Sequence, residues 1–511
     1  MTDRTVASLL SELPGASLVR GELGSAVASI GHDSRHVQTG GLFIAVPGFN
    51  VDGHAFLPQV ANAGAGAVIV QRDRRSAWEA IPPGPAVVAV DDSRVAMAQA
   101  AAWFHGHPGR ELTVIGVTGT DGKTTTCHFL TSILEAVGAR VGRLGTVDVL
   151  IAGEQGSMTS RMTTPEAPEV QRILREMVDA GCGYAIVEST SHGLALHRLD
   201  QVEYDIAVLT NVTGDHLDFH ETFEAYREAK SLLFSALDSA VDKGVEKCAV
   251  VNMDDPSALS MLGRTKARRL GYGLESRAAE VLARNVHLRP DGSSFRLITP
   301  AGAAETSIGI PALFNVANAL AAAAAGVALG LPLEVIARGL ERCPGVPGRM
   351  ERIDAGQPFN VIVDYAHTGD AVRKVLHVLR EVAGGRLIIV VGAAGERDPG
   401  RRFGVARAAA AGADFAVFTN EDPRSEDPAA IIREIGRHAE GAGKVRGRDF
   451  IEVEDRQQAI AAAFARATPG DAVLIAGKGH EQSIVYAGGA QPWDDRAAAR
   501  EELARLGFTA G

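Results

Sequence analysis

An apolar run, Leu112 to Val117, leads into Gly119, Thr120, Asp121, Gly122, Lys123, Thr124 and Thr125, and Phe129, Leu130, Ile133, Leu134 and Val137 then recur at helical spacing. No other feature restricts the fold as much. A strand, a glycine loop and a helix in direct succession demand a layered α/β arrangement with the loop at the carboxyl end of the strand. Glycines there let backbone N–H groups approach phosphate oxygens, and the helix N-terminus adds positive potential. Lys123 is placed to hold β- and γ-phosphates, and Thr124 to ligate Mg²⁺. The spacing departs from GxxxxGK[ST], because Val117 stands where the first glycine of that pattern falls.

The rest of the chain extends the same architecture. The first hundred residues mix short β-type runs (LFIAV, AVIV, AVVAV) with glycine turns and end in a helix from Val95 to Phe104, after which His105 to Arg110 reads as a linker. YAIVE and IAVLTN are further buried-strand candidates, alternating with helices as in a mostly parallel sheet covered on both faces. Ala317 to Ala325 reads as a closely packed helix, and Pro and Gly punctuate Cys343 to Met350. Beyond it, NVIVDYA, RLIIVVGAAG, FAVFTNEDP and DAVLIAGKG form a Rossmann-like series of strands ending in loops, with helical segments such as Arg402 to Ala411 between them. At 511 residues the chain exceeds one hydrophobic core. The expected division is 1–107, a small N-terminal α/β domain; 108–345, a central P-loop ATPase-like domain with a mostly parallel sheet; and 346–511, a Rossmann-like C-terminal domain.

Charge and composition narrow the function. A formal charge of −11 disfavours general attraction to nucleic acid or anionic lipid. With 46% apolar residues in broken runs, the chain can build large cores but offers no bilayer-spanning segment. The four cysteines, Cys127, Cys182, Cys248 and Cys343, are widely spaced, without a CxxC pair, and read as reduced core thiols. The expectation is a cytoplasmic monomer acting on small molecules, with no nucleic-acid partner and no membrane insertion.

Read alone, Glu188 is an acid at a strand end, His216 an imidazole near other polar groups, and Lys230 a solvated helix lysine. Together with the loop they form a more specific pattern. GTDGKTTT, VESTSHGL, TNVTGDHLDFH and AYREAK, in that order, resemble the Mur ligases, a superfamily that also includes folylpolyglutamate synthase-like enzymes. The resemblance implies an ATP-dependent ligase in which Glu188 and His216 bind Mg²⁺, and Lys230 is carried as a carbamate (N6-carboxylysine) near a second Mg²⁺. It also implies adenine contact by Asn315, with Asn318 an alternative, ATP contact by Arg349, and ribose binding by Asp364. Such an enzyme converts a carboxylate into an acyl phosphate, which an amine then displaces.

Within that family the N-terminal string DSRHVQTGGLFIAVPGFNVDGHAF is similar to a UDP-binding module, which points to Ser34, Arg35, Phe49 and Asn50 as contacts. By the same resemblance Thr163, Thr164, Thr190 and Arg198 hold a UDP-muramoyl dipeptide. Arg397, the loop of Asp422, Pro423, Arg424 and Ser425, and Gly477 with Glu481 match segments that bind a diamino acid. The arginines suit bidentate carboxylate recognition. The form associated with meso-diaminopimelate reads DNPR, whereas this chain reads EDPR from Glu421. Asp422 thus replaces an amide, and L-lysine or L-ornithine stands as the alternative to the favoured meso-diaminopimelate. A nucleotide-regulated scaffold without catalysis is a further alternative. A dinucleotide oxidoreductase is weaker, since VVGAAGERD lacks GxGxxG.

Overall fold

The computed structural model describes residues 4–48, 51–156, 163–214, 217–289, 291–398 and 400–509. The chain groups into two compact units: one of Met1–Ala283, Leu297–Ala304 and Ala317–Leu340, the other of Arg284–Arg296, Glu305–Val316 and Glu341–Gly511.

The first unit holds two sheets. The N-terminal sheet runs Ser17–Arg20, Ala86–Val90, Ala67–Gln71, Leu42–Ile44, Ile30–Gly31, parallel except for its first strand. Alternate residues face opposite sides of a strand, so Leu42, Ile44, Ala67 and Ile69 enter one core while Phe43, Val68 and Val70 enter another. This is why LFIAV and AVIV are apolar throughout. His105 to Arg110 is not a loose linker. Pro108 and Gly109 are buried, and a Cβ at Gly109 would lie 2.3 Å from the Val202 carbonyl oxygen. Ala98 and Ala101 of the helix Ser93–Phe104 also pack with Ala167, so small residues bring that helix against the neighbouring domain.

In the central sheet, Arg268–Gly273, Cys248–Asn252, Ile206–Leu209, Thr113–Thr118, Tyr184–Glu188 and Val141–Leu144 lie side by side, all parallel. Val149–Ile151 and Glu154–Gln155 continue one edge antiparallel. The glycine-loop strand sits between Ile206–Leu209 and Tyr184–Glu188, and the carboxyl ends of these three strands deliver the loop, Thr210 and Glu188 to one place. The helix after the loop spans Lys123–Glu135 and buries Phe129, Leu130, Ile133 and Leu134. Val137, expected on that face, instead lies past the helix end and is exposed, because the segment turns at Gly138 with φ 79°. The polar-alternating strands Val281–Arg289, Gly292–Thr299 and Gly302–Ile308 were not among the expected elements.

The C-terminal sheet has the order Glu351–Ile353, Asn360–Asp364, Ala472–Ala476, Leu387–Val391, Phe415–Phe418, Phe450–Glu452, parallel apart from the first strand. The four expected strands are its middle. Behind their carboxyl ends Arg456 and Asp495 form a fully buried pair at 2.7 Å, with Arg456 also donating to the Asn420 and Ala476 carbonyls. One guanidinium thereby holds the loops after two strands at fixed positions. Asp495→Ala should cost about 3–5 kcal/mol, since it leaves an uncompensated buried cation. Thermal unfolding checks this; an unchanged transition would contradict the assigned role.

Candidate active site

The phosphate loop is held by hydrogen bonds from the adjacent strand end. Thr120 N–H donates to the Asn211 carbonyl at 2.8 Å and Asp121 N–H to Asn211 Oδ1 at 3.0 Å. Thr210 Oγ1 donates to the Asp121 carbonyl at 2.6 Å, and Thr120 Oγ1 lies 3.0 Å from the Tyr226 hydroxyl. Gly119 and Gly122 have φ of 154° and 84°; a Cβ on them would approach Thr210 Oγ1 to 1.8 Å and Asn318 Oδ1 to 2.1 Å. Glycine is thus required by both conformation and space. No side chain caps the helix at Gly122, which leaves the first-turn N–H groups, including those of Thr124 and Thr125, directed at an anion position. Lys123 Nζ lies across the loop, donating to the Gly119 and Thr120 carbonyls at 2.9 Å each.

Glu188 closes one wall. It is 1% exposed; Oε2 accepts from Thr146 Oγ1 at 2.7 Å, while Oε1 is buried with no hydrogen-bond donor. A Cβ at Gly145 would lie 2.8 Å from Oε1, so this glycine keeps space beside that oxygen. A buried carboxylate oxygen lacking a donor is an acceptor suited to a hard cation. Mg²⁺ takes oxygen ligands of this kind while retaining waters. His216, the other expected ligand, lies outside the described residues, and no group of three or more His, Cys, Asp or Glu arranged for a metal occurs among those described.

Lys230 is not a solvated helix lysine. It is 1% exposed on the helix Phe223–Ser239, donates to the Gly119 carbonyl at 2.7 Å, and stands 4.3 Å over the Tyr226 ring. The structure therefore brings Lys230, Lys123 and Gly119 together. His192 joins an aromatic cluster with Phe219 and His220 on the same side. Asn211, Thr210, Thr146 and Tyr226 are the contributors that sequence reasoning missed; TNVT beside the candidate His216 was the available signal.

The dipeptide candidates form one network. Thr164 Oγ1 donates to the Glu188 carbonyl at 3.1 Å and lies 2.9 Å from Thr190 Oγ1, and Thr163 Oγ1 is 3.1 Å from Thr146 Oγ1. Thr190 caps the short helix Ser191–Ala195. Arg198 pairs with Glu166 at 2.8 Å and donates to the Thr164 carbonyl, so its charge is partly committed within the protein. In the N-terminal domain, Ser34 and Arg35 lie on a short 3₁₀ turn, with Asp33 gripping the exposed Arg35 guanidinium. Phe49 and Asn50 are outside the described residues.

In the second unit, Asn315 Nδ2 donates to the Pro311 carbonyl at 2.7 Å. The Asp364 carboxylate accepts from the Met350 and Ala366 backbone N–H groups at 2.7 and 2.8 Å. Burial raises its pKa, opposed by these bonds and by Arg349. Arg349 lies 5.3 Å over the Tyr365 ring, with Nε buried and lacking an acceptor. His480 stacks near Tyr365, and burial holds its imidazole down at about 4, so it is neutral at pH 7.

The loop of residues 421–428, the candidate amino-acid segment, is ordered by charge. Asp422 Oδ1 accepts from Lys478 Nζ at 2.8 Å and from Val485 N–H at 2.9 Å; Lys478 is 1% exposed and also pairs with Glu481. Arg424 has φ 57°, donates its N–H to the Val485 carbonyl, and keeps a buried Nε without an acceptor. Gly395 N–H donates to the Asp422 carbonyl, Ser425 bonds Glu396, and Arg397 is exposed. Gly477, with φ 115°, lies against Glu421. The hairpin Ser483–Tyr486 and Gly489–Pro492, which supplies Val485, was not expected from sequence.

Comparison with known proteins places these features in a family. Domain models match in order: Mur ligase family, catalytic domain, over 26–105; Mur ligase middle domain over 117–326; and Mur ligase, glutamate ligase domain, over 348–479. The chain is 49% identical over 491 residues to a UDP-N-acetylmuramyl-tripeptide synthetase of Roseiflexus sp. (strain RS-1), covering 94% of this chain and 95% of the relative. It is 40% identical over 501 residues to a UDP-N-acetylmuramoyl-L-alanyl-D-glutamate–2,6-diaminopimelate ligase of Bacillus licheniformis, covering 98% and 99%. A solved structure of a 2,6-diaminopimelate ligase of that type superposes with TM-score 0.68 at 29% identity, covering 96% and 98%.

Substituting Gly122→Ala should weaken nucleotide binding by roughly tenfold or more, from strain at positive φ and the clash with Asn318. Titration with a fluorescent ATP analogue measures it; unaltered affinity would remove the loop's assigned role.

Proposed function

The chain belongs to the Mur ligase family, and on that premise we propose that it adds meso-2,6-diaminopimelate to UDP-N-acetylmuramoyl-L-alanyl-D-glutamate, with ATP and Mg²⁺, in peptidoglycan synthesis. The enzyme is an ATP-dependent ligase that forms an amide bond. Its proposed setting is the cytoplasm, as a monomer; among the described residues no helix is long and apolar enough to cross a membrane. We keep the proposed domain limits at 1–107, 108–345 and 346–511.

The chemistry follows from the residues. The uncapped helix at Gly122 and the Lys123 ammonium bind the polyphosphate and offset charge as the γ-phosphoryl group passes to the substrate carboxylate. Mg²⁺, when bound by Thr124, Glu188 and His216, supplies further charge neutralisation at the phosphates. A carbamate on Lys230 would turn a buried cation into an anion beside the Gly119 carbonyl. Thr163, Thr164, Thr190 and Arg198 line the neighbouring wall for the dipeptide, and Ser34, Arg35, Phe49 and Asn50 receive its uridine end. Asn315, Arg349 and Asp364 serve the adenosine end of ATP. The acyl phosphate is then open to the free amine of the amino acid held by Arg397, Asp422, Pro423, Arg424, Ser425, Gly477 and Glu481.

The choice of amino acid rests on the Asp422–Lys478 pair. From sequence, Asp422 in place of an amide argued against a distal carboxylate nearby. In the structure its carboxylate pairs with the buried Lys478 ammonium, which it shares with Glu481, so Asp422 opposes such a group less than the sequence suggested. Arg424, with an unsatisfied Nε, is then free to take it.

Purified enzyme given ATP and the dipeptide should form product with meso-diaminopimelate and much less with L-lysine or L-ornithine. Product with lysine or ornithine alone would overturn the choice, and no product with any amine would favour the scaffold alternative. Lys123→Ala should abolish phosphate release, whereas Arg424→Ala should raise the KM for amino acid by roughly tenfold or more with a smaller change in kcat. Lys230→Ala should be inactive and partly rescued by a small carboxylic acid; full activity without it would dispose of the carbamate.

A further inference from the structure

Strand register decides what stands beside Glu188. Val141–Leu144 and Tyr184–Glu188 run parallel with Leu144 next to Val187, so the residues that follow, Gly145 and Thr146, come alongside the Glu188 side chain. Gly145 leaves space at Oε1, where a Cβ would stand 2.8 Å away. Thr146 donates its hydroxyl proton to Oε2 at 2.7 Å. One residue thus keeps an oxygen of this buried carboxylate open and the next fixes the other, while Oε1 has no hydrogen-bond partner.

The same hydroxyl has a second neighbour. Thr163 Oγ1 lies 3.1 Å from Thr146 Oγ1 and is a further acceptor for its proton. A threonine hydroxyl carries one proton, so Thr146 serves Glu188 fully only when Thr163 does not draw on it. Thr164, the next residue, donates to the Glu188 carbonyl at 3.1 Å and lies 2.9 Å from Thr190 Oγ1. Two consecutive threonines therefore bear on Glu188 at both ends: Thr164 at its carbonyl, and Thr163, through Thr146, at its carboxylate. Both belong to the proposed dipeptide wall, and all of these groups lie within the first compact unit.

We propose that Thr146 is a positioning residue that couples dipeptide binding to Mg²⁺ binding. The inference rests on reading Glu188 as a Mg²⁺ ligand and Thr163 as a dipeptide contact. With Thr163 engaged by the dipeptide, the Thr146 proton goes wholly to Glu188 Oε2, and the carboxylate is locked with Oε1 presented to the cation. Removing a hydrogen bond of this kind from a ligating carboxylate typically costs about 10- to 100-fold in metal affinity. Coupling of binding free energies is reciprocal, so Mg²⁺ tightens dipeptide binding by the same factor. The consequence for the reaction is that the cation is held best once the carboxylate to be phosphorylated is in place, which disfavours transfer of the phosphoryl group to water in an empty site.

The test uses the full chain saturated with a non-hydrolysable ATP analogue, with Mn²⁺ as the probe and water-proton relaxation as the readout, which separates enzyme-bound Mn²⁺ from Mn²⁺ on free nucleotide. Saturating UDP-muramoyl dipeptide should tighten Mn²⁺ binding to wild type by roughly fivefold or more. Thr146→Val should bind Mn²⁺ roughly tenfold or more weakly, and the dipeptide should no longer change that affinity. Thr146→Ser, which keeps the hydroxyl, should restore both. Thr163→Val removes the competing acceptor and should bind Mn²⁺ without dipeptide as tightly as loaded wild type does. A dipeptide effect of wild-type size in Thr146→Val or Thr163→Val, or none in wild type, would overturn the proposal. If Thr146→Val fails to fold, the wild-type, Thr146→Ser and Thr163→Val titrations decide it. Calorimetry separates the underlying reading: no heat from dipeptide removes the dipeptide site and this inference with it, whereas heat with unchanged Mn²⁺ affinity sinks the coupling alone.

Discussion

The hydrogen bonds between the phosphate loop and Thr210–Asn211 are the constraint on which the catalytic arrangement depends. A glycine loop is held open for phosphate only if something other than phosphate fixes its backbone. Here the end of the neighbouring strand does so, through Asn211 and Thr210 on either side of Asp121. The parallel order of Ile206–Leu209, Thr113–Thr118 and Tyr184–Glu188 makes this possible, because it puts three strand ends side by side. Glu188 then arrives with one oxygen tied to Thr146 and the other buried without a hydrogen-bond donor, and Lys230 reaches the same loop from the helix Phe223–Ser239.

The second unit, also built on a largely parallel sheet but with a different strand order, solves a different problem. Its strand ends collect carboxyl groups, and two buried cations decide what those groups can do. Arg456 is spent on Asp495 and on carbonyls that hold loops in place. Lys478 is shared between Asp422 and Glu481. Arg424 Nε and Glu421 Oε2 are buried there without a hydrogen-bond partner.

Much of this was legible in the sequence because its signals are local. The strand, loop and helix around Lys123, the four C-terminal strands, and Glu188 at a strand end all follow from short-range pattern and glycine placement. Lys230 was not legible from pattern alone. AYREAK has the composition of a solvated helix face, and only the fold turns its lysine toward Gly119. Asp422 was misleading for the same reason, since its partner Lys478 lies 56 residues away in sequence. Tyr226, Thr146 and Asn211 are ordinary polar residues whose importance comes from what long-range strand order sets beside them. The packed segment at Gly109 reads as a linker because its partner, the Val202 carbonyl, is also far away in the chain.

The central claim is that this site activates a carboxylate by phosphorylation before an amine attacks. Its most direct test uses UDP-muramoyl dipeptide with ¹⁸O in the glutamyl carboxylates, turned over by the full chain with ATP, Mg²⁺ and meso-diaminopimelate, and mass analysis of the phosphate released. An acyl phosphate requires one carboxylate oxygen to leave with the phosphoryl group, so the account predicts ¹⁸O in the phosphate in step with amide formation. Amide formed alongside unlabelled phosphate would contradict it.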